Sequence, residues 1–170
     1  MRITKHTKTK NILPLLTKEA LEELLAKVPA VPLRKPLLQM TVGEFATLLN
    51  DETQYIADIL SARKALKAFG RLKQFRIELE QIQKFMKMYD HQPTQEEKAA
   101  EKGVRFPDFG QRMLIDCVKF FGLKSFKEAE KVPVAEWLTI FQSEASSVLY
   151  QRNYQRIMEQ KQKAKNNKKR

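Results

Sequence analysis

Signals for the start of a helix recur along this sequence. The segments "TVGE" at 41–44 and "SFKE" at 125–128 each place a hydroxyl three residues before a carboxylate, which is the pattern of a helix capping box. Thr17 and Asp108 stand in the equivalent position ahead of amphipathic segments. Only 5 of the 170 residues are glycine, which is few for the many tight turns of an all-β fold. The sequence therefore predicts an all-α protein, an irregular multi-helix bundle with flexible basic termini.

The length of the chain suits one domain with a substantial core. A polar stretch punctuated by Pro93, Gly103 and Pro107 predicts a loop over residues 90–107, with one or two exposed helical turns after Thr94. The predicted parts are a basic disordered tail (1–10), a single helical domain (11–160) made of subregions 11–90 and 106–160, and a second basic disordered tail (161–170).

Proline and glycine set the expected limits of several helices. The three prolines of segment 29–36 lack a backbone N–H and disfavour helix before them, so this segment is predicted to run extended against the core. A helix that begins near Tyr55 is expected to continue to Phe69 and to bend or break at Gly70. Gly122 is placed to end a later helix in the left-handed conformation.

Apolar residues downstream of Gly70 form a seam at helical spacing. They recur at intervals of three and four residues with charged residues between them, which is a heptad-like pattern of under three repeats. The pattern favours an antiparallel packing face within the domain, and a homo-oligomer interface is the alternative. The residues of the seam are Leu72, Phe75, Leu79, Ile82, Met86 and Tyr89.

The positive charge of the chain is concentrated at its ends. The formal net charge is +12, but residues 1–10 hold four basic residues and residues 161–170 hold six, with no acid in either segment. The remaining body is close to neutral, whereas a nucleic-acid-binding fold usually carries its basic residues on a structured face. Binding of nucleic acid through the tails is retained as an alternative function. The residues that would carry it are Lys161, Lys163, Lys165, Lys168, Lys169 and Arg170.

The groups that enzymes and metal sites use are scarce. The chain has two histidines and one cysteine, Cys117, and no pair of them has the spacing of zinc ligands. Cys117 has no evident base near it and lies among apolar helical neighbours, so it is predicted to be a buried small hydrophobe. We expect no enzyme activity, no catalytic residue, no metal, no cofactor and no small-molecule substrate.

The lone cysteine also bears on the compartment. It excludes an internal disulfide and suits a reducing environment. The basic N-terminus is not followed by the apolar run of a signal peptide, and no segment approaches 18 apolar residues. We therefore expect a cytoplasmic protein with no membrane partner.

The order of local features in the second subregion matches a known pattern. Phe109–Gly110 stand at a helix start, a later helix ends in a glycine, and a short helix follows before the proline-led "VPVAEWL" and the Tyr/Arg-rich "YQRNYQRI". In this order the segment resembles the tail assembly chaperones, small helical proteins encoded among phage tail genes. The segment "MTVGEFATLLND" is similar to their opening half, so the resemblance covers roughly residues 39–157. The proline-rich segment 29–36 and the basic C-terminal tail are not part of this pattern.

The resemblance implies a non-catalytic assembly factor that binds a long helical tape-measure-type client in the host cytoplasm. A helical client would need an apolar groove, which we expect between helix 109–121 and helix 137–149. Phe120, Phe121 and Trp137 are predicted to line it. The full set of candidate partner-binding residues is Phe109, Phe120, Phe121, Trp137, Phe141, Tyr150 and Tyr154.

Overall fold

The computed structural model describes residues 7–9, 12, 16–62, 64–89, 104–105 and 107–167, with side chains up to Lys163. Its elements are α1 (Lys18–Lys27), a 3₁₀ turn (Leu37–Gln39), α2 (Val42–Asn50), α3 (Glu52–Leu60), α4 (Ala65–Tyr89), α5 (Phe109–Phe121), α6 (Phe126–Ala129) and α7 (Val134–Asn167). These residues form no strand, so the predicted all-α class is confirmed. The predicted loop at 90–107 and the helical turn after Thr94 lie almost wholly outside them.

Local capping fixes most of the helix starts. Thr17, Thr41, Asp108 and Ser125 each accept a hydrogen bond from the backbone N–H three residues further on, as predicted. At Thr41 the box is complete, because the Glu44 carboxylate accepts from the Thr41 backbone N–H at 2.8 Å. Each cap satisfies an N–H group that the first helical turn leaves without an intrahelical partner.

The connection between α5 and α6 follows the prediction with one difference. Gly122 ends α5 in the left-handed region at φ 62° and ψ 34°, a conformation that glycine adopts without steric penalty. The Glu128 carboxylate accepts from the backbone N–H of Lys124 at 2.9 Å. The "SFKE" segment therefore caps α6 through its serine, while its glutamate binds one residue outside the expected box.

The N-terminal residues that the structure describes are packed on the fold. Lys8 forms an antiparallel bridge with Lys64, and the Ala65 N–H donates to the Thr7 carbonyl at 3.0 Å. Thr9 is buried and its hydroxyl donates to the Ala62 carbonyl. The prediction of a disordered tail is therefore wrong for residues 7–9.

This docking coincides with a helix break that the sequence did not indicate. The expected continuous helix from Tyr55 to Phe69 is divided, since α3 ends at Leu60 and α4 begins at Ala65. The break leaves backbone groups of the intervening residues free to bind residues 7–9.

Gly70, where a bend or break was expected, lies inside the continuous helix α4. A Cβ atom at this position would come within 2.5 Å of the Val31 Cγ2 atom and 2.8 Å of the Pro29 carbonyl oxygen. The Val31 N–H donates to the Gly70 carbonyl at 3.0 Å. The glycine is thus the contact point at which the proline-rich segment lies against α4, as the prediction of an extended, packed segment requires.

The predicted seam on α4 faces the interior of the domain. Leu72, Phe75 and Ile82 are buried in the core, and Leu79 and Met86 pack against it. The core also contains Phe45 and Leu37 from the first subregion, and Met113, Cys117, Trp137 and Ile140 from the second. Helix α2 packs on α5, and α7 crosses both α4 and α5, so the two subregions share one core.

Helix α7 is the longest element, with 34 residues and a length of about 51 Å at 1.5 Å per residue. It passes the predicted domain boundary at residue 160 without interruption and ends at Asn167. Every residue from Asn153 to Lys163 is exposed, so this part of the helix extends beyond the packed body.

Candidate protein-binding groove

An open groove lies between the end of α4, helix α5 and the first half of α7. Its volume is about 520 Å³, within the range of sites that take compact ligands or side chains. The groove is lined by Gln83, Met86, Lys87, Phe109, Arg112, Asp116, Trp137, Phe141, Glu144, Ala145 and Val148.

Three aromatic rings form the floor of this groove. Trp137 is 1% exposed and lies between Phe109, at a centroid distance of 5.6 Å, and Phe141, at 5.5 Å. The ring of Phe109 meets the indole edge-on at 87°, a geometry that aromatic pairs prefer. Trp137 and Phe141 lie one helical turn apart on α7, so they face the same side.

Backbone contacts of neighbouring elements position these rings. The Val134 N–H donates to the Met40 carbonyl at 2.8 Å, and the Val42 N–H donates to the Val132 carbonyl at 2.7 Å. These bonds fix the start of α7 against the start of α2. A Cβ at Gly110 would lie 3.0 Å from the Ala46 Cβ, so the glycine allows α5 to approach α2 closely.

The indole N–H of Trp137 is a buried hydrogen-bond donor. Its Nε1 atom is buried and has no acceptor among the described residues. A buried donor without a partner costs roughly 1–3 kcal/mol, so such groups are rare in the interior of proteins.

Charged side chains of both signs surround the aromatic floor. Lys87 and Arg112 supply cations, and Asp116 and Glu144 supply carboxylates. Partial burial raises the pKa of Glu144 above its ordinary value, the nearby Asp116 charge raises it further, and Lys119 opposes the shift. The rim can therefore accommodate the mixed charges that flank the apolar face of an amphipathic helix.

Replacing Glu144 with glutamine is expected to stabilise the protein at pH 7, by less than about 1 kcal/mol because the residue is exposed and screened by solvent. The raised pKa means that the folded state binds the proton more tightly than the unfolded chain. Ionisation of Glu144 therefore opposes folding as pH rises through the ordinary value of 4.5. Urea unfolding at pH 7 and at pH 3.5 should show that the gain disappears in acid.

Glu159 of α7 provides the matched control for this prediction, because it is exposed on the projecting part of the helix. Glu159→Gln should change the free energy of unfolding at pH 7 by no more than about 0.5 kcal/mol, as expected for an exposed surface substitution. A Glu144→Gln variant that is destabilised at pH 7, or that behaves as Glu159→Gln does, contradicts the prediction.

The structure brings together only part of the predicted partner-binding set. Phe109, Trp137 and Phe141 line the groove. Phe120 and Phe121 do not: they lie at the far end of α5, 54% and 41% exposed, with their rings 5.4 Å apart. The prediction that these two residues line the groove is wrong. Phe120 lies a full turn beyond Asp116, the last residue that α5 contributes to the groove, and Phe121 follows it.

Tyr150 and Tyr154 lie apart from the groove as well. They are exposed on α7 and stack on each other at a centroid distance of 6.4 Å. Ile157 and Met158 are exposed on the same stretch. These residues form an apolar patch on the projecting helix, separate from the aromatic floor.

Several residues that line the groove were absent from the predicted set. Met86 was assigned to the α4 seam, yet it lines the groove beside Lys87. Ala145 and Val148 complete the wall on α7. The i, i+4 and i+7 spacing from Phe141 gave a local signal for Ala145 and Val148, whereas the position of Met86 depends on the packing of α4 against α7.

The residues of the alternative nucleic-acid surface are described only in part. Lys161 and Lys163 are exposed on α7, and Lys165 belongs to the same helix with its side chain outside the described residues. Lys168, Lys169 and Arg170 also lie outside them.

Cys117, the one cysteine of the chain, is buried. Burial, with the charges of Asp116 and Glu136, raises the pKa of the Cys117 thiol to about 11, so the thiol stays protonated at neutral pH. The described part of the chain holds no cluster of three or more His, Cys, Asp or Glu that could bind a metal ion. None of the described helices combines the length and apolar character of a membrane span.

Comparison with known proteins gives no assignment. No protein-family model, curated protein or solved structure matches the chain. The geometry of the groove is therefore the basis for any functional conclusion.

Proposed function

We propose that this protein is a non-catalytic assembly factor that holds an amphipathic helix of another protein in the α4–α5–α7 groove. The observation that carries the proposal is the aromatic floor of Phe109, Trp137 and Phe141 at the base of an open groove. Buried aromatic side chains in a desolvated pocket are the usual centres of binding energy at protein interfaces.

The groove is better suited to a helix than to a small polar ligand. Its floor is apolar, and its rim carries two cations and two carboxylates. The rim therefore does not favour a ligand of one particular charge. An amphipathic helix places apolar anchors at i, i+3, i+4 and i+7 and carries charged residues beside them.

The proposed biological setting is that of a phage tail assembly chaperone, whose client is a long tape-measure-type protein. Such a client exposes apolar helical stripes until the tail forms, and a groove of this kind would cover them. The proposed location is the cytoplasm, where a lone buried cysteine remains reduced.

The test is a nuclease-treated pull-down with two matched variants. Phe109 lines the groove and Phe120 does not, and both are partly exposed phenylalanines of α5. Phe109→Asp places a carboxylate in the first turn of the helix, where it is tolerated. We expect Phe109→Asp to lose a long helical protein that the wild type and Phe120→Asp both retain.

Direct binding then identifies the occupied surface. Synthetic helical segments of the retained protein, titrated against the wild type, should change the fluorescence of Trp137, the single tryptophan of the chain. Equal retention of the same protein by wild type, Phe109→Asp and Phe120→Asp would sink the groove proposal.

A second candidate function rests on the exposed end of α7. Arg156, Lys161 and Lys163 are exposed there, together with the stacked pair Tyr150 and Tyr154. Basic and aromatic side chains together can bind single-stranded nucleic acid. In this case nucleic acid alone would be recovered, its affinity would fall steeply with salt, and deletion of residues 1–10 and 161–170 would weaken it strongly.

A further inference from the structure

A second cleft, of about 440 Å³, lies between the proline-rich segment, the end of α3 and helix α4. It shares no lining residue with the groove. Three cationic side chains line it, those of Arg34, Lys35 and Arg71, against a single carboxylate, that of Asp58. Cationic side chains therefore outnumber carboxylates among its lining residues, and charge of one sign in a concave site attracts ligands of the opposite sign.

Arg71 is a half-buried cation in the lining of the cleft. Its Nε atom is buried and has no hydrogen-bond acceptor among the described residues. Asp58 supplies the one carboxylate among the lining residues, and it accepts from the Gln54 side-chain amide at 3.1 Å. Leaving part of a guanidinium buried without an acceptor is costly, and an anion beside the accessible part of the half-buried Arg71 side chain would offset that cost.

The two remaining cations differ in their availability. Lys35 is ion-paired with Glu44, which also completes the cap of α2. Arg34 is exposed at the mouth of the cleft and has no ion pair within the described part of the chain. Arg71 and Arg34 are therefore the groups available to a ligand, and a guanidinium is the side chain best matched to phosphate oxygens.

The rest of the cleft is apolar and aromatic. Leu33, Met40 and Ile59 contribute buried side chains, and the half-buried ring of Tyr55 lies beside them. Burial raises the pKa of the Tyr55 hydroxyl, followed by the charges of Glu78 and Glu44, so it remains a neutral hydroxyl. A ligand that fits this surface has an apolar or planar body attached to its anionic group.

We propose that the α3–α4 cleft binds a small organic phosphate, with the phosphate on Arg71 and Arg34 and an apolar body against Met40 and Ile59. The proposed role of the cleft is to bind this ligand without transforming it. Its volume lies within the range of small-molecule sites in proteins.

Calorimetric titration with phenyl phosphate, at constant ionic strength, tests the proposal. Arg71→Met is the test variant, and Arg76→Met is the matched control because it removes the same charge from α4 outside the cleft. We expect saturable binding to the wild type, weakened at least about tenfold by Arg71→Met and less than about twofold by Arg76→Met.

The melting temperature without ligand separates binding from a structural role. Because Arg71→Met removes an unpaired buried donor, the variant should melt at the same temperature as the wild type or higher. A clear fall in its melting temperature would assign Arg71 a structural role and overturn the proposal. Unsaturable binding, or equal binding by wild type and Arg71→Met, would overturn it as well.

Inorganic phosphate is the second probe. It should bind more weakly than phenyl phosphate, because it lacks the apolar body that Met40 and Ile59 contact. If inorganic phosphate and sulfate bind as tightly as phenyl phosphate, the cleft is a simple anion site and the organic part of the proposal is wrong.

Discussion

Replacement of Trp137 by alanine is expected to lower the free energy of unfolding by about 3–5 kcal/mol, the usual cost of truncating a fully buried large aromatic residue. The indole is 1% exposed and is packed between Phe109 and Phe141. Its removal leaves a cavity at the junction of α5 and α7, where the two subregions share the core. Urea unfolding followed by far-ultraviolet circular dichroism measures the change, since the variant has no tryptophan to report by fluorescence.

Two variants make this prediction specific. Trp137→Phe retains an aromatic ring and removes an indole N–H that has no acceptor, so it should cost much less than the alanine variant. Phe126→Ala truncates an exposed aromatic residue and should change the free energy of unfolding by no more than about 0.5 kcal/mol. A Trp137→Ala variant as stable as Phe126→Ala would contradict the core position of the indole.

The second large effect is expected at Gly70. Alanine is favoured over glycine inside a helix by about 1 kcal/mol, so a substitution judged from helix propensity alone would stabilise the protein. Here the added methyl would meet the Val31 side chain at 2.5 Å and the Pro29 carbonyl oxygen at 2.8 Å. The second contact is with backbone, so the proline-rich segment itself must move. We expect Gly70→Ala to cost roughly 1–3 kcal/mol, the range for overpacking a close contact.

A double variant and a control test the cause. Gly70→Ala with Val31→Ala should recover part of the loss, because it removes the contact with Val31 Cγ2 and leaves those with the Pro29 carbonyl oxygen and, at 3.1 Å, the Cβ of residue 31. Gly122→Ala should cost about 1–2 kcal/mol through its positive φ alone, since nothing lies within 4 Å of its added Cβ. Stabilisation by Gly70→Ala would show that the proline-rich segment does not press on α4.

Features that depend on residues three or four apart could be predicted from the sequence. The caps at Thr41 and Asp108 join groups within one helical turn, and the left-handed Gly122 needs only the absence of a side chain. The same holds for the aromatic floor on α7, because Trp137 and Phe141 are one turn apart.

Features that depend on contacts between distant segments could not be predicted from the sequence. Residues 7–9 bind to the break between α3 and α4. In the sequence they resemble a charged tail, because their partners lie more than 50 positions away. Phe120 and Phe121 are as apolar as Phe109, and only the packing of α5 against α2 and α7 decides that Phe109 alone enters the groove. The role of Gly70 also depends on a distant segment. A glycine that breaks a helix and a glycine that allows a close contact look the same in the sequence.

The unsupported end of α7 has a consequence for the time scale of its motions. From Asn153 to Lys163 no residue is buried, so within the described part of the chain this stretch is held mainly by its own backbone hydrogen bonds, with the packed first half of α7 as a template. Helices without tertiary packing are marginal in water, and opening of such a segment does not require global unfolding. Its amide protons should therefore exchange with solvent far faster than those around Trp137. A partner that binds the Tyr150–Met158 patch would slow exchange in the projecting part of α7 and so reduce this difference in exchange rate along the helix. Residue-resolved hydrogen exchange is therefore a sensitive assay for binding at this patch.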